Sequence, residues 1–213
     1  MEWWQNQNSP LSEIAAKQFG AFSALQAVDA GISADLHDAK VTNGEWKREL
    51  PGIYSLTSCE RDFLKTHYQS YYLWTSDEKG KPQGVFGYST ALGLFKLPEP
   101  WLQGEQMIVP LSFKPIYDLP ETNLRLFYED LDSSRVCDIS GVKATKPLYT
   151  ILDFIKWDHG DRMEVRRALD DSLREKLFTM DDINNANLTV EERRLMDQLI
   201  EELPWIELDD GIG

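Results

Sequence analysis

Apolar residues near the start of the chain recur at steps of three and four, which is the spacing of short amphipathic helices. The pattern predicts one helix over residues 11–19 and a second over residues 23–30. Gly31 ends the second helix, because glycine readily takes the left-handed conformation that follows a helix. We therefore expect two short helices with a tight connection after the second.

A third helix is expected after this glycine. Ser33 offers an N-cap for it. Leu36 and Val41 are expected to face inward, and Asn43-Gly44 closes the segment. The other positions of this helix are therefore expected to be exposed.

The next residues alternate between apolar and polar. Trp46 is followed by two cations, Pro51-Gly52 supplies a turn, and apolar residues resume after that turn. This pattern predicts a two-stranded hairpin. Three helices followed by a hairpin are the order expected of a winged helix-turn-helix, which we place at residues 1–58.

Beyond the hairpin the pattern predicts an α+β fold, with a mixed α/β body and a helical C-terminal third. The predicted domains are therefore the winged helix-turn-helix at 1–58, an α+β body at 59–180 and an acidic helical tail at 181–213. Strands are predicted at residues 84–87, 106–109 and 124–128 and around Val142. Helices are predicted at residues 58–73, from a Ser89 cap through Leu94, and at residues 148–155, 163–177, 181–186 and 189–203.

The net charge of the chain bears on which binding partners are expected. The net charge is -14, and residues 1–58 carry four lysines and arginines against seven acids. Ordinary DNA-binding proteins gain most of their affinity by neutralising phosphates with cations, so this balance argues against strong DNA binding. Residues 176–213 carry three cations against ten acids, so half of the net charge is C-terminal.

The sequence composition also limits the cellular compartment and the catalytic chemistry that we expect of the protein. Cys59 and Cys137 are too few for a disulfide framework or a four-ligand zinc site, and they fit a reducing cytosol. We find no signal peptide and no apolar run that approaches a membrane span, so a soluble cytoplasmic protein without a membrane partner is expected. Catalytic signatures are absent from the sequence, so we expect no enzyme activity, no catalytic residues, no metal and no cofactor.

Seven stretches are considered together: residues 18–27, 30–33, 43–46 and 51–54 in the N-terminal part, then 86–92, 141–153 and 165–179 in the body. Taken in order, they resemble the AbiEi family of type IV toxin-antitoxin systems. The match is carried by spacing as much as by identity, and it covers roughly residues 10–180.

The resemblance implies a transcriptional regulator of a toxin-antitoxin or phage-defence operon. Its winged helix would bind promoter DNA, and its antitoxin-like body would oppose a nucleotidyltransferase-like toxin. In that family the two proteins need not touch. A second copy of the chain is a further expected partner, because a homodimer would double the contacts with DNA.

The candidate DNA-binding residues are those that the third helix and the hairpin are expected to expose. Asp35 and Asp38 share this helix, and both would meet phosphate at close range unless they read a cytosine amino group. The alternative is a non-enzymatic protein-interaction module on the same fold that has lost DNA binding. The candidate residues are Ser33, His37, Lys40, Asn43, Lys47 and Arg48.

A second cationic set lies in the body. Arg162 and Arg166 are four residues apart and share a helix face, so they could form a basic patch with nearby cations. The alternative is a solvated surface on which neighbouring acids pair with these arginines. The patch comprises Lys143, Lys146, Arg162, Arg166 and Arg167, and the acids are Asp161, Asp170 and Asp171.

Overall fold

A computed structural model describes residues 9–59, 62–98, 104–121, 123–157 and 162–203. The chain divides into two compact units, and each is considered by itself. The first comprises Met1–Phe86 and Met107–Ala144, and the second comprises Gly87–Gln106 and Thr145–Gly213. The predicted domain boundary at residue 58 falls inside the first unit, and the boundary at residue 180 falls inside the second. The predicted α+β class is confirmed.

The first unit begins with short helices and a small antiparallel sheet. The sheet has the strand order β1-β3-β2. Its elements follow the chain as α1 (Pro10–Lys17), β1 (Ala21–Ser23), α2 (Ala24–Asp29), a 3-10 turn (Ala34–Leu36), α3 (His37–Thr42), β2 (Trp46–Leu50) and β3 (Ile53–Leu56).

The predicted hairpin is confirmed, but strand β1 was not predicted. It has only three residues, all of them buried, so it lacks the alternation that marks a strand. Phe22 pairs with Tyr54 across β1 and β3. Ser23 then caps α2, because its hydroxyl accepts from the Gln26 backbone N–H while the Gln26 side chain accepts from the Ser23 N–H.

Aromatic rings form the core of this N-terminal part. The Phe22 and Trp46 rings meet edge to face at 4.8 Å, and Trp46 lies 5.4 Å from Tyr54. Leu11 and Ala15 of α1 are buried against the same cluster. Trp46 is therefore a core residue, and the short helices owe their stability to this shared packing.

A five-stranded sheet follows in the order β6-β5-β4-β8-β7. Strand β4 is antiparallel to β5 and parallel to β8. Strand β7 was not predicted, and the helix expected from Ser58 begins only at Phe63, behind an Asp62 cap. The elements are α4 (Phe63–Trp74), β4 (Val85–Phe86), β5 (Gln106–Val109), β6 (Arg125–Tyr128), β7 (Val136–Ile139) and β8 (Val142–Thr145).

The second unit is helical. The predicted capping box of the last helix is confirmed, with Thr189 and Glu192 exchanging both bonds. The predicted cap at Ser89 was wrong: Gly87 occupies the cap position, and the Ser89 hydroxyl donates to the Gln106 side chain. Residues 204–213 of the predicted tail lie outside the described residues. The helices are α5 (Tyr88–Leu94), α6 (Pro147–Trp157), α7 (Arg162–Arg174), α8 (Met180–Asn185) and α9 (Val190–Glu201).

Within the described residues, every helix is too short or too polar to span a bilayer.

Candidate interaction surface on the third helix and hairpin

The segment expected to be a regular third helix has a mixed geometry that changes which residues it exposes. It begins as a 3-10 turn and continues as α3. His37, predicted to be exposed, is only 5% exposed and packs 5.2 Å from Trp46 and 5.7 Å from Tyr54. Leu36, predicted to face inward, is 46% exposed. Both predictions were wrong, because a 3-10 turn advances the side chains at three residues per turn rather than 3.6.

The buried His37 is a structural residue and is removed from the candidate contact set. Its Nε2 lies 3.3 Å from the Ile32 carbonyl oxygen, which closes the connection between α2 and the third helix. The inward prediction for Val41 holds, since this residue packs against the aromatic core.

The outward face of the third helix is polar and acidic. Ser33, Asp35, Asp38 and Asn43 are exposed. The Ser33 hydroxyl donates to the Asp35 carboxylate. Asn43 occupies the C-cap position of α3, and Gly44 follows with a φ of 74°. The face therefore presents carboxylates and an amide toward solvent.

Each candidate cation on this surface is held by an acid of the same segment. Lys40 Nζ lies 2.6 Å from Glu45, and Lys47 Nζ lies 2.6 Å from Glu49. The third cation, Arg48, makes an ion pair that joins the hairpin to α3, and its Nη2 lies 2.5 Å from Asp38. Each of the three cations thus lies within ion-pair distance of a carboxylate.

The three ion pairs differ in how firmly they are held. The Glu49 side chain is 15% exposed and also accepts a hydrogen bond of 2.5 Å from the buried Ser55 hydroxyl. The Arg48 guanidinium lies 5.7 Å from the centre of the Tyr54 ring, which is within cation-π range. The Asp38 side chain remains 86% exposed. Glu49 is therefore the most firmly placed of the acids, and Asp38 is the most accessible.

The turn of the hairpin is packed within the first unit. A Cβ placed on Gly52, whose φ is 71°, would lie 2.1 Å from the Tyr117 ring. The Gly52 carbonyl accepts from the Ala24 N–H at 2.8 Å. The Trp74 indole N–H donates to the Asp118 carbonyl at 3.1 Å and holds the segment that carries Tyr117. The hairpin turn is therefore a fixed part of this unit.

Tyr117 was missed by sequence reasoning. It lies in an irregular stretch that no periodicity marks, and its contact with Gly52 is made between distant parts of the chain. Burial raises the pKa of the Tyr117 phenol above its usual value of 10.0. No local sequence signal could have connected this tyrosine to the hairpin turn.

The predicted basic patch of the body draws on both units. Lys143 belongs to the first unit, where its Nζ lies 3.3 Å from Asp138. In the second unit, Arg162 forms a two-pronged pair with Glu202, with its Nε at 3.0 Å, and Arg167 lies 3.1 Å from Glu164.

The remaining members of this patch differ in exposure. Lys146 is exposed directly before α6, and Arg166 is half-buried on α7. Of the acids expected to pair with the arginines, Asp170 lies 3.0 Å from Arg174, and Asp161 falls outside the described residues. Arg162 and Arg167 therefore pair with Glu202 and Glu164 rather than with the acids that the solvated-surface alternative named.

The described residues enclose cavities in each unit. One cavity of about 230 Å³ lies in the second unit among α6, α7 and α9, and another of about 270 Å³ lies against the five-stranded sheet of the first. Both are smaller than the roughly 300–1,000 Å³ of typical small-molecule pockets. Among the described residues, no group of three His, Cys, Asp or Glu side chains is placed to hold a metal ion. Cys59 and Cys137 are both reduced and half-buried.

Comparisons with known proteins find similarity to a solved structure. No protein-family model matches the chain, and no curated protein matches it. The crystal structure of the RV2827C protein from Mycobacterium tuberculosis is similar, with a TM-score of 0.48 and 12% sequence identity. The match covers 93% of this chain and 72% of that one.

Proposed function

We propose that this protein is an AbiEi-like antitoxin and transcriptional regulator that binds promoter DNA through a winged helix-turn-helix. The supporting observation is the order helix, strand, helix, helix, strand, strand over residues 10–56. Strand β1 pairs with β3, so the hairpin and the first strand form one small sheet beside three helical segments. This is the arrangement expected of a winged helix, in which the third helix enters the major groove.

The DNA contacts in this proposal come from the third helix and from strand β2. Ser33 and Asn43 are exposed at the two ends of the third helix. The Lys47 and Arg48 side chains are 53% and 51% exposed on the edge strand. Asn43 offers the amide pair that suits an adenine edge, and the two cations suit phosphates. A homodimer would double these few phosphate contacts.

The antitoxin part of the proposal rests on the body and does not require contact with the toxin. It predicts that the protein protects cells that express a nucleotidyltransferase-like toxin from the same operon. Protection should survive the Lys47→Ala, Arg48→Ala double change, because that change affects only the proposed DNA surface. Growth of co-expressing cells measures this, and loss of protection in the double variant would place the antitoxic role in the N-terminal segment instead.

A second candidate function is a non-enzymatic protein-interaction module that does not bind DNA. The observation that favours it is the pairing of Lys40, Lys47 and Arg48 with acids beside an acidic third helix. Such a face would suit a basic protein surface.

Fluorescence anisotropy with duplex DNA from the protein's own upstream region separates the two functions. The regulator predicts binding that prefers this duplex over a scrambled one, weakens with salt, and weakens further in the Lys47→Ala, Arg48→Ala variant. A matched control is Lys79→Ala, Lys81→Ala, which removes the same charge from an exposed loop of the first unit. Absence of binding at low salt would overturn the regulator function and favour the interaction module.

A further inference from the structure

The acids on the candidate surface hold the cations that DNA would need. We propose that Asp38, Glu45 and Glu49 act as built-in competitors of DNA phosphate and set the affinity of this surface, an inference that rests on the proposed function. Each carboxylate occupies one cation at 2.5 to 2.6 Å. Carboxylate and phosphate oxygens bind ammonium and guanidinium groups in the same way, so a phosphate gains a cation only by displacing a carboxylate.

Displacement reduces the net gain from each phosphate contact. A cation that exchanges one anionic partner for another gains little free energy, and the released carboxylate is left beside the DNA backbone. Binding to arbitrary DNA is therefore suppressed, and contacts of the third helix with base edges become the main source of affinity. The acids thereby favour specific sites over non-specific ones.

The competition between carboxylates and phosphates should alter the salt dependence of DNA binding. Three bare cations that contact phosphates would give a slope of about -2.7 for the logarithm of the binding constant against the logarithm of salt concentration, at roughly -0.9 per phosphate. In the wild-type protein each released carboxylate recaptures a cation from solution. The expected slope is therefore shallower than that of a variant without the three acids.

The test compares the wild-type protein with the triple variant Asp38→Asn, Glu45→Gln, Glu49→Gln. The probes are the upstream duplex and a scrambled duplex of the same composition, each measured by anisotropy across a salt series. We expect the triple variant to bind the scrambled duplex about tenfold or more tightly than the wild type does, with a steeper salt slope. An unchanged affinity and slope would overturn the inference.

Two controls separate competition from a general loss of negative charge. Asp35→Asn removes an exposed acid from the same helix face, one that accepts from Ser33 rather than from a cation. Asp38→Asn removes an acid that holds Arg48, so it should tighten binding and steepen the slope more than Asp35→Asn does. Equal effects would overturn the competition. The triple change Asp181→Asn, Asp197→Asn, Glu201→Gln makes the same net charge change at exposed positions of the second unit and should leave the slope unchanged.

The outcomes also separate this inference from the proposed function. If the wild type does not recognise the upstream duplex but the amide variant binds both duplexes, the regulator function fails and the competition stands. If the wild type recognises its duplex and the amide variant behaves identically, the function stands and the competition fails. If neither protein binds at low salt, both are overturned. Thermal melts of each variant confirm that the fold is retained.

Discussion

Among the described residues, His37 in the first unit and Glu192 in the second are both buried, and the two are held in different ways. His37 in the first unit is 5% exposed and lies among the rings of Trp46 and Tyr54. Glu192 in the second unit is 2% exposed, pairs with Lys156 at 3.0 Å and accepts the Thr189 N–H at 2.9 Å. Aromatic packing holds the first, and an ion pair with a helix cap holds the second.

The difference shows when the burial of an ionisable side chain can be predicted from the sequence. Glu192 stands three residues after Thr189, and this spacing alone predicts a capping box that turns the side chain back toward the helix start. His37 is buried because the hairpin places two aromatic rings against it, and those rings come later in the chain. A local sequence pattern thus predicts the position of the Glu192 side chain, whereas the position of the His37 side chain depends on the folded hairpin.

The largest expected effect comes from disturbing the hairpin that holds the rings around His37. Gly52→Ala would drive a methyl group into the Tyr117 ring at a positive φ, so we expect a loss of about 3 kcal/mol or more in the free energy of unfolding. Chemical denaturation measures this. Gly31→Ala is the matched control, because its φ is 89° while its methyl group would point into open space among the described residues. Equal losses in the two variants would show that backbone strain, rather than Tyr117, governs the turn.

A smaller loss is expected from the buried acid of the second unit. Glu192→Ala removes both the partner of Lys156 and the acceptor for the Thr189 N–H, so we expect a loss of about 2–3 kcal/mol. Glu192→Gln keeps an acceptor for the cap and should lose less than half as much. Denaturation curves of the two variants test this, and equal losses would mean that the cap contributes little.

The buried histidine is expected to matter slightly less. His37→Ala leaves a gap beside Trp46 and Tyr54, with an expected loss of about 2 kcal/mol. Leu36→Ala, one residue earlier on the exposed side, should change stability by less than about 0.5 kcal/mol. Thermal unfolding of both variants measures the contrast. A larger loss at Leu36 would reverse the inward and outward assignment of the third helix.

The smallest effect concerns pH and compares two helix starts. The Thr179 hydroxyl and backbone N–H hold the pKa of Asp182 below its usual value of 3.8. The carboxylate therefore stabilises the start of α8 above pH 3.8, and this contribution is lost as the pH falls through the lower pKa of the folded protein. The capping box of α2, made by the neutral Ser23 and Gln26, should not change over this range.

Amide exchange during acidification tests this difference. Protection at the start of α8 should fall before protection at the start of α2, and Asp182→Asn should remove the pH dependence. Equal loss of protection at the two helix starts would contradict it.

Much of the fold could be predicted because its signals are local. Helical spacing and the Thr189 capping box placed the last helix, and Pro51-Gly52 placed the hairpin. The candidate surface was predicted less well. The cations Lys47 and Arg48 were correctly expected to be exposed, but their acid partners, the burial of His37 and the role of Tyr117 were missed.

The sequence by itself determined the identity and order of most elements, because helix periodicity, capping and turn preferences act between residues only a few positions apart. Only the tertiary structure decided what each surface offers. The 3-10 start of the third helix rotated Leu36 outward and His37 inward, the hairpin brought Arg48 to Asp38, and the irregular segment placed Tyr117 over Gly52. These contacts join distant residues, and they depend on packing that no local pattern encodes.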